Sequence, residues 1–469
     1  PRSPDIHMKL KAVFRCRECS ADSLKWSGQC PGCGSWNTLE EEAVAVGKAA
    51  AGQGARPLTD FSSPVVSLKD SSSSRESGRF PTGIGELDRL LGGGLVAGQV
   101  LLLAGPPGIG KSTLMLQAAA ALARARKTLY VSGEESLEQI GARARRLGLS
   151  GSGLLLACES DLEKILAAVS EHGPAVLVLD SIQTVFHPGF SGGPGSMTQV
   201  RECAAELLRA AKSRGTALFL RGHGTKDGST AGPKVLEHIV DTVLQFDTEE
   251  RQMLRLLRAE KNRFGPTSEV ALFEMEEGGL KEVQDASAML LEAFAGSRSP
   301  GRAVSVAVEG TRPMLVEVQA LVTPTRYPLP RRMATGLELN RVLTLLASME
   351  KHLRLRLESQ DVFINLAGGL RLKDPALDLA VCMAVVSSAR EIPLPEDAVF
   401  IGEVGLLGGV GRVGFAAQRL REAQRVGFKK AFVGARSLKD CAKGARVHME
   451  ISGAKDIAEA ARLCLPDGE

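Results

Sequence analysis

The segment Val100–Thr113, VLLLAGPPGIGKST, sets a short apolar run directly before GPPGIGKS, which satisfies G-x-x-x-x-G-K-[ST] with Gly105, Gly110, Lys111 and Ser112. This constrains the fold strongly, because such a loop works only where a strand ends and a helix begins. Residues Gly105, Pro106, Pro107, Gly108, Ile109, Gly110, Lys111, Ser112 and Thr113 are expected to wrap a nucleoside triphosphate. Backbone N–H groups close around the phosphates, Lys111 reaches the β/γ oxygens and the Ser112 hydroxyl joins Mg²⁺. A helix-like run, Leu114–Ala123, follows as the motif demands.

A phosphate loop also needs one carboxylate to direct Mg²⁺ and another to activate water. The run Ala175–Asp180, AVLVLD, reads as a central parallel strand delivering Asp180 to the metal. Between it and the loop lies Thr128–Ser136, TLYVSGEES, strand-like and ending in two acids. Glu134 is expected to polarise the attacking water with Glu135 in support, and one of the two is expected to cap the helix that begins near Ser136. Strands and helices alternate to about Gly279, which predicts an α/β fold: a parallel sheet with helices on both faces. Two glycine-rich loops, His187–Ser196 (HPGFSGGPGS) and Arg221–Pro233 (RGHGTKDGSTAGP), leave strands at their C-terminal ends, where open α/β sheets place ligands.

Size and composition suit a large enzyme. With 469 residues, 44% of them hydrophobic and 24% charged, the chain can fill two or three domain cores. No apolar stretch reaches the roughly 18–20 residues needed to cross a bilayer. No secretory signal is visible either, so a cytoplasmic location without membrane attachment is expected. A net charge of +4 does not by itself point to a polyanionic partner, and nucleic-acid binding has to be argued from local features. Residues 1–7, PRSPDIH, read as an expression scar ahead of Met8.

The nine cysteines divide sharply. Four stand as Cys16-x2-Cys19-x10-Cys30-x2-Cys33 within residues 8–42, two knuckles that can close a tetrahedral thiolate site around structural Zn²⁺. Four thiolates leave no open position for catalysis, and a disulfide pair suits a chain without an export signal less well. Cys158, Cys203, Cys382, Cys441 and Cys464 are scattered and are expected to pack as small hydrophobes. Residues 43–79, with AAAGQGAR and SSSSRESGR, read as a flexible linker.

An ATPase domain is expected over residues 80–284. Near its end, the strand-like Leu254–Glu260 feeds Lys261 and Arg263 into a turn at Gly265–Pro266. Cations on a rigid hairpin suit γ-phosphate sensing across a subunit boundary; a solvated basic turn is the other reading. From 285 to 469 the pattern changes, through AVSVAVEGTRPMLVEVQALV and a helical stretch Leu339–Glu358, to a separate domain.

Along nearly its whole length the chain resembles one family, the bacterial DNA-repair RadA (Sms) proteins. KWSGQCPGCGSWNT at Lys25–Thr38, GPPGIGKST, GHGTKDGSTAGPKVLEHIVD at Gly222–Asp241 and KNRFG at Lys261–Gly265 come in the family's order, and KNRFG is its hallmark among RecA-like proteins. The resemblance implies a small zinc ribbon-like finger, a RecA-like ATPase core and a C-terminal α+β domain similar to that of Lon protease. It implies a DNA-dependent ATPase using ATP, Mg²⁺ and Zn²⁺. It also implies homohexameric rings that promote branch migration or helicase-like unwinding of recombination intermediates. Single-stranded and branched DNA and a RecA-type recombinase are the implied partners. Lys261 and Arg263 would act at a neighbouring subunit's ATP or on DNA, and the two glycine-rich loops would face DNA. Arg221 and Gly224 stand where aliphatic residues are usual in the family, beside His223 and Lys226.

Lon-type proteolysis needs a serine nucleophile and a lysine base. By the same resemblance, Ala376 holds the serine position and Ala417 aligns with the lysine, so this domain is expected to be an inactive scaffold. Its basic residues Arg326, Arg331, Arg332, Arg341, Lys351, Arg354, Arg356, Arg371 and Lys373 are candidates for a DNA-facing channel, or for an ordinary solvated face. Two other readings compete. An ATP-dependent protease is opposed by the two alanines, and a regulatory RecA-like ATPase of the clock-protein type lacks the finger and KNRFG.

Overall fold

Runs of five apolar residues between helices leave a chain little choice but a sheet covered on both faces. The computed structural model describes residues 10–16, 22–23, 25–31, 34–45, 78–150, 153–222, 234–247, 254–292, 299–438 and 447–465. The chain divides into two units. The first comprises Pro1–Thr248, Ala259–Pro266 and Glu277–Leu280; the second comprises Glu249–Arg258, Thr267–Glu276 and Lys281–Glu469.

At the N-terminus, β1 (Leu10–Cys16), β2 (Asp22–Ser23) and β3 (Leu39–Ala45) form an antiparallel sheet in the order β2–β1–β3. β3 extends to Ala45, into the stretch read as linker, of which residues 46–77 lie outside the described residues.

The first unit's main sheet is built from β4 (Val100–Ala104), β5 (Thr128–Ser132), β6 (Leu154–Cys158), β7 (Val176–Asp180), β8 (Ala217–Arg221) and β9 (Thr242–Phe246). These strands pair in parallel in the order β9–β4–β8–β7–β5–β6. Every residue of β4, β5 and β7 is buried, as strands with helices on both faces must be. The helices Leu162–His172 and Met197–Arg214 cover one face, with Ile165, Val169, Val200 and Leu207 packed against Val100, Leu129, Leu177 and Leu218. Each starts at a side-chain cap, Asp161 for the first and Ser196 for the second.

Next come β10 (Leu254–Asn262), the antiparallel β11 (Val270–Glu276) and β12 (Gly279–Glu282). Leu254, Leu256, Val270 and Leu272 belong to the second unit's core. That unit's sheet consists of β13 (Arg302–Glu309), β14 (Arg312–Pro324), β15 (Arg332–Thr335), β16 (Gln360–Leu366), β17 (Ala398–Ile401), β18 (Lys430–Gly434) and β19 (Glu450–Ala454). The order is β15–β16–β14–β13–β17–β18–β19, with β14 antiparallel to both neighbours and the other pairs parallel.

The central helix of this unit, Asp378–Arg390, is buried from Asp378 to Ser387 and shares one apolar core with Leu339–Leu353 and Ile457–Cys464. Ala416–Val426 packs with Val304, Val306 and Leu315 in a second cluster. The helix expected over Leu339–Glu358 stops at Leu353 because Arg354 turns into the left-handed region at φ 53°. No described helix is long and apolar enough to cross a membrane.

Candidate active site

Residues 105–110 join β4 to the helix Lys111–Leu122. Gly105, Gly108 and Gly110 hold φ of 146°, 77° and 113°, backbone conformations that side-chain-bearing residues rarely adopt. A Cβ on Gly105 would also lie 2.9 Å from Phe246 Cβ. Gly110 offers the helix no side-chain cap, so its first N–H groups, with Ser112 and Thr113 in that turn, keep their capacity for an anion. Lys111 is buried, and its Nζ donates to the carbonyls of Gly105 and Pro106 at 2.8 and 2.7 Å. Burial first, and then the charge of Arg221, pull its pKa down to about 8 against the opposing pull of Asp180 and Glu134.

Three adjacent strand ends deliver the remaining groups. Asp180 closes β7, with Ser132 of β5 and Leu220 of β8 in register with Asp180 and Leu179. The Asp180 carboxylate is buried; Oδ2 accepts from the Tyr130 hydroxyl at 2.7 Å and Oδ1 accepts from Arg221 Nη1. Gly133 N donates to the Asp180 carbonyl at 3.0 Å, which swings Glu134 toward the same place. Glu134 Oε1 accepts from Ser181 Oγ at 2.6 Å and Oε2 from Arg221 Nη1 at 3.0 Å. A Cβ at 133 would lie 2.1 Å from Thr184 Oγ1, so any side chain there must displace Thr184. Lys111, Glu134 and Asp180, far apart in the chain, thus meet in one cluster.

Glu135 turns elsewhere: it pairs with Arg143, Oε1 accepting from Nη1 at 3.1 Å and Oε2 lying 2.7 Å from Nη2. Arg143 also donates to the Tyr130 hydroxyl at 3.2 Å, and burial pushes that hydroxyl's pKa well up, so it stays a neutral donor to Asp180. The expectation that Glu134 or Glu135 caps the next helix is corrected. Ser136 caps it, accepting from Gln139 N at 3.4 Å while Gln139 Oε1 accepts from Ser136 N at 2.9 Å. That capping box was legible as S-x-x-Q; the roles of Tyr130, Gly133, Arg143, Ser181 and Arg221 were not, because they arise from contacts between strands. Cys158 also departs from expectation: it is exposed at the end of β6, donating to the Glu135 carbonyl at 3.1 Å, whereas Cys203, Cys382 and Cys464 are buried.

The loop His187–Ser196 is held from below by buried Gln199, whose Nε2 donates to the carbonyls of His187, Phe190 and Gly192 at 3.0, 2.9 and 3.1 Å. Of the loop Arg221–Pro233, Arg221 and Gly222 are described; His223, Gly224 and Lys226 lie outside the described residues. Lys261 and Arg263 are not brought to the Lys111 cluster. Lys261 Nζ donates to the carbonyls of Glu237 and Val240 at 2.6 and 2.8 Å, while Arg263 Nη1 faces Asp241 Oδ1 at 3.4 Å with 59% of its side chain exposed.

In the finger, Cys16 and Cys30 are buried and share a core with Leu39, while Cys19 and Cys33 lie outside the described residues. Cys16 Sγ donates to Thr38 Oγ1 at 3.1 Å. The described core here is small, Cys16, Cys30 and Leu39 with Phe14 against it, and so small a core rarely holds strands by apolar burial alone.

In the second unit, Ala376 is buried in the turn that opens the helix Asp378–Arg390. The side chain that reaches this turn from Ala416–Val426 is Arg419 rather than the aligned Ala417, with Nη1 donating to Asp374 Oδ2 at 2.6 Å. Several candidate channel cations are structural. Arg331 donates twice to Asp361 Oδ2, at 2.9 and 2.6 Å, and lies over the rings of Tyr327 and Phe363. Arg332 donates to the carbonyls of Leu357 and Gln360, and Arg341 to Asp378. Arg326, Lys351, Arg354, Arg356, Arg371 and Lys373 are exposed.

Comparison with known proteins agrees with this layout. Residues 68–229 match the model of an AAA domain, residues 14–41 that of a rubredoxin metal binding domain, and residues 333–437 that of subunit ChlI of Mg-chelatase. The chain is 46% identical over 461 residues to DNA repair protein RadA of Bacillus subtilis (strain 168), covering 97% of this chain and 99% of that protein. It is 44% identical over 452 residues to DNA repair protein RadA of Escherichia coli (strain K12), covering 96% and 97% of the two chains. The RadA of Pseudomonas aeruginosa is 48% identical over 427 residues, covering 91% of this chain and 93% of its own. With an AAA-type ATPase domain between a zinc ribbon and a Lon-like domain, the chain belongs to the RadA family of DNA repair proteins.

Proposed function

We infer that this ATPase is DNA-dependent and works as a homohexameric ring motor. It promotes branch migration or unwinding of single-stranded and branched recombination intermediates alongside a RecA-type recombinase. The observation that supports the reading is that the Lys111–Glu134–Asp180 cluster gathers at the C-terminal ends of β4, β5 and β7, the same edge of the sheet that β8 leaves at Arg221 to enter a glycine-rich segment of the sequence. A ligand bound at that edge would lie beside the hydrolytic groups, which is what DNA-stimulated turnover requires.

In this reading Gly105–Thr113 wraps the triphosphate and Lys111 neutralises its β/γ oxygens. Ser112 and Asp180 are the groups that would hold Mg²⁺, and the buried carboxylate of Asp180 and the hydroxyl in the helix's first turn are donors suited to that ion. Bound there, Mg²⁺ would supply charge neutralisation for the transferring phosphoryl group. Glu134, aimed by Ser181 and Gly133, orients and deprotonates the attacking water. Tyr130 fixes the Asp180 carboxylate from behind.

Lys261 and Arg263 act at a neighbouring subunit's nucleotide or on DNA, which the half-exposed Arg263 is free to reach for the price of one long ion pair. The cysteines of the finger hold Zn²⁺, and the segments 8–42, 43–79, 80–284 and 285–469 act as finger, linker, motor and scaffold. Proteolysis is disfavoured: Ala376 cannot attack a peptide, and Arg419, always charged and committed to Asp374, cannot serve as a base.

The test is ATP turnover with and without single-stranded DNA, beside casein degradation and the mass of the assembly in solution. DNA stimulation, a six-fold mass and intact casein are expected; turnover indifferent to DNA, or casein cleavage, refutes the motor reading.

A further inference from the structure

The hydrolytic cluster contains a cation that the mechanism above does not use. Arg221 is the last residue of β8, opposite Leu103 of the central strand β4 and beside the end of β7. A single nitrogen, Nη1, donates both to Asp180 Oδ1 and, at 3.0 Å, to Glu134 Oε2. Only 11% of the Arg221 side chain is exposed. Two charge-assisted bonds made from inside a largely desolvated pocket are strong ones.

We propose that Arg221 is a resident counter-cation that competes with the Mg²⁺ of Mg–ATP for the Asp180–Glu134 carboxylate pair, so that loading the site requires this guanidinium to leave. Three features of the cluster support this. Tyr130 already occupies Asp180 Oδ2, so the oxygen that Arg221 holds is the one the carboxylate has left to turn toward a metal. Glu134 is in the same position, with Oε1 engaged by Ser181 and Oε2 by Arg221. Charge gives the third argument. Lys111 and Arg221 balance Asp180 and Glu134, while Arg143 and Glu135 pair with each other. With Arg221 in place the two carboxylates are already neutralised and offer little net charge to a divalent ion, whereas the cluster without Arg221 presents two carboxylates against one ammonium. Arg221 therefore sets how much Mg²⁺ the site demands before nucleotide is held in a hydrolysable form.

The inference rests on reading Asp180 and Glu134 as the metal- and water-directing acids, and the experiment separates the two. Binding of a fluorescent, non-hydrolysable ATP analogue to the full-length protein is titrated with Mg²⁺, and Mn²⁺ binding is read by its spin resonance. In Arg221→Gln the Mg²⁺ concentration at half-saturation should fall by about tenfold to a hundredfold, the equivalent of about one charge-assisted hydrogen bond. In Arg221→Lys it should fall by less. Asp180→Asn should raise it.

An unchanged requirement in Arg221→Gln, with Asp180→Asn behaving as expected, overturns the competition while leaving the acids in place. An unchanged requirement in Asp180→Asn overturns both. Weaker nucleotide binding by Arg221→Gln at saturating Mg²⁺ makes Arg221 a phosphate ligand and overturns the proposal. Should Arg221→Gln fail to fold, the charge-retaining Arg221→Lys decides, and an unchanged or raised Mg²⁺ requirement there counts against it.

Discussion

Gly133→Ala is the smallest perturbation that should reach the chemistry without touching a charged group. The added methyl would sit 2.1 Å from Thr184 Oγ1, 2.8 Å from Thr184 Cβ and 3.7 Å from the Glu159 carbonyl oxygen. Non-bonded carbon contacts are comfortable near 3.5–4.0 Å, so Thr184 must retreat by about 1 Å. Gly133 is not among the positive-φ residues, so the cost is steric and not torsional. Overpacking on this scale costs about 1–3 kcal/mol. Thr184 does not move alone: its Oγ1 donates to the Ser181 carbonyl at 2.8 Å, and Ser181 Oγ aims Glu134 at 2.6 Å. A displacement of about 1 Å in a catalytic base can lower turnover by about a hundredfold. The Lys111 loop belongs to other strands and should bind nucleotide as before. Steady-state turnover and equilibrium binding of a fluorescent nucleotide, measured on the same preparations, should therefore split, with kcat falling and Kd constant. Thr184→Gly removes both clashing atoms and should restore much of the loss in the double variant. Wild-type turnover in Gly133→Ala, or no recovery on adding Thr184→Gly, would refute the claim that steric contact positions Glu134.

Lys111 keeps its phosphate-binding charge only below its pKa of about 8, so nucleotide affinity should weaken as pH rises from 7 to 9.5, and Lys111→Ala should bind weakly with no such slope. Because this folded-state value lies below the ordinary 10.5, the lysine's contribution to stability is least favourable below pH 8 and improves between about 8 and 10.5; a thermal melt that worsens for wild type relative to Lys111→Ala over that range contradicts the assignment. Cys30→Ser should release one Zn²⁺ per chain by elemental analysis while nucleotide binding persists; unchanged zinc content removes the site. Arg263→Ala should leave binding of free nucleotide intact and depress DNA-stimulated turnover, and mixing it with Lys111→Ala subunits should restore part of the rate if it acts in trans. Full stimulated activity in Arg263→Ala alone excludes that role.

Local chemistry made much of this molecule readable in advance. The phosphate loop needs glycines and a lysine at set spacing, so Gly105–Thr113 declared both itself and the strand and helix around it. Apolar runs with no polar alternation could only be covered strands, and β4, β5 and β7 are buried throughout. Asp180 and Glu134 could be singled out because open α/β sheets place ligands at their strand ends, and the fold does bring the two together there. What the linear order does not contain is partnership across strands. The sequence favours Glu134 over Glu135, but what separates them appears only in space, where Ser181, just past β7, meets Glu134 and Arg143 of the next helix meets Glu135. Arg221 is an unusual letter at a strand end until its guanidinium is found bridging two acids that lie 41 and 87 residues away in sequence. Resemblance to the Lon-type domain places Ala417 at the lysine position; that its helix neighbour Arg419 turns toward Asp374 depends on helix phase, which only the structure shows. Likewise, the switch in composition near 285 did not reveal that Leu254, Leu256, Val270 and Leu272 pack into the second unit's core, so a cut at 285 would strip them of their cover. Sequence specified the groups with fixed local geometry; tertiary structure decided which charges face each other, because Coulombic and hydrogen-bond partners are set by distance in space and not along the chain.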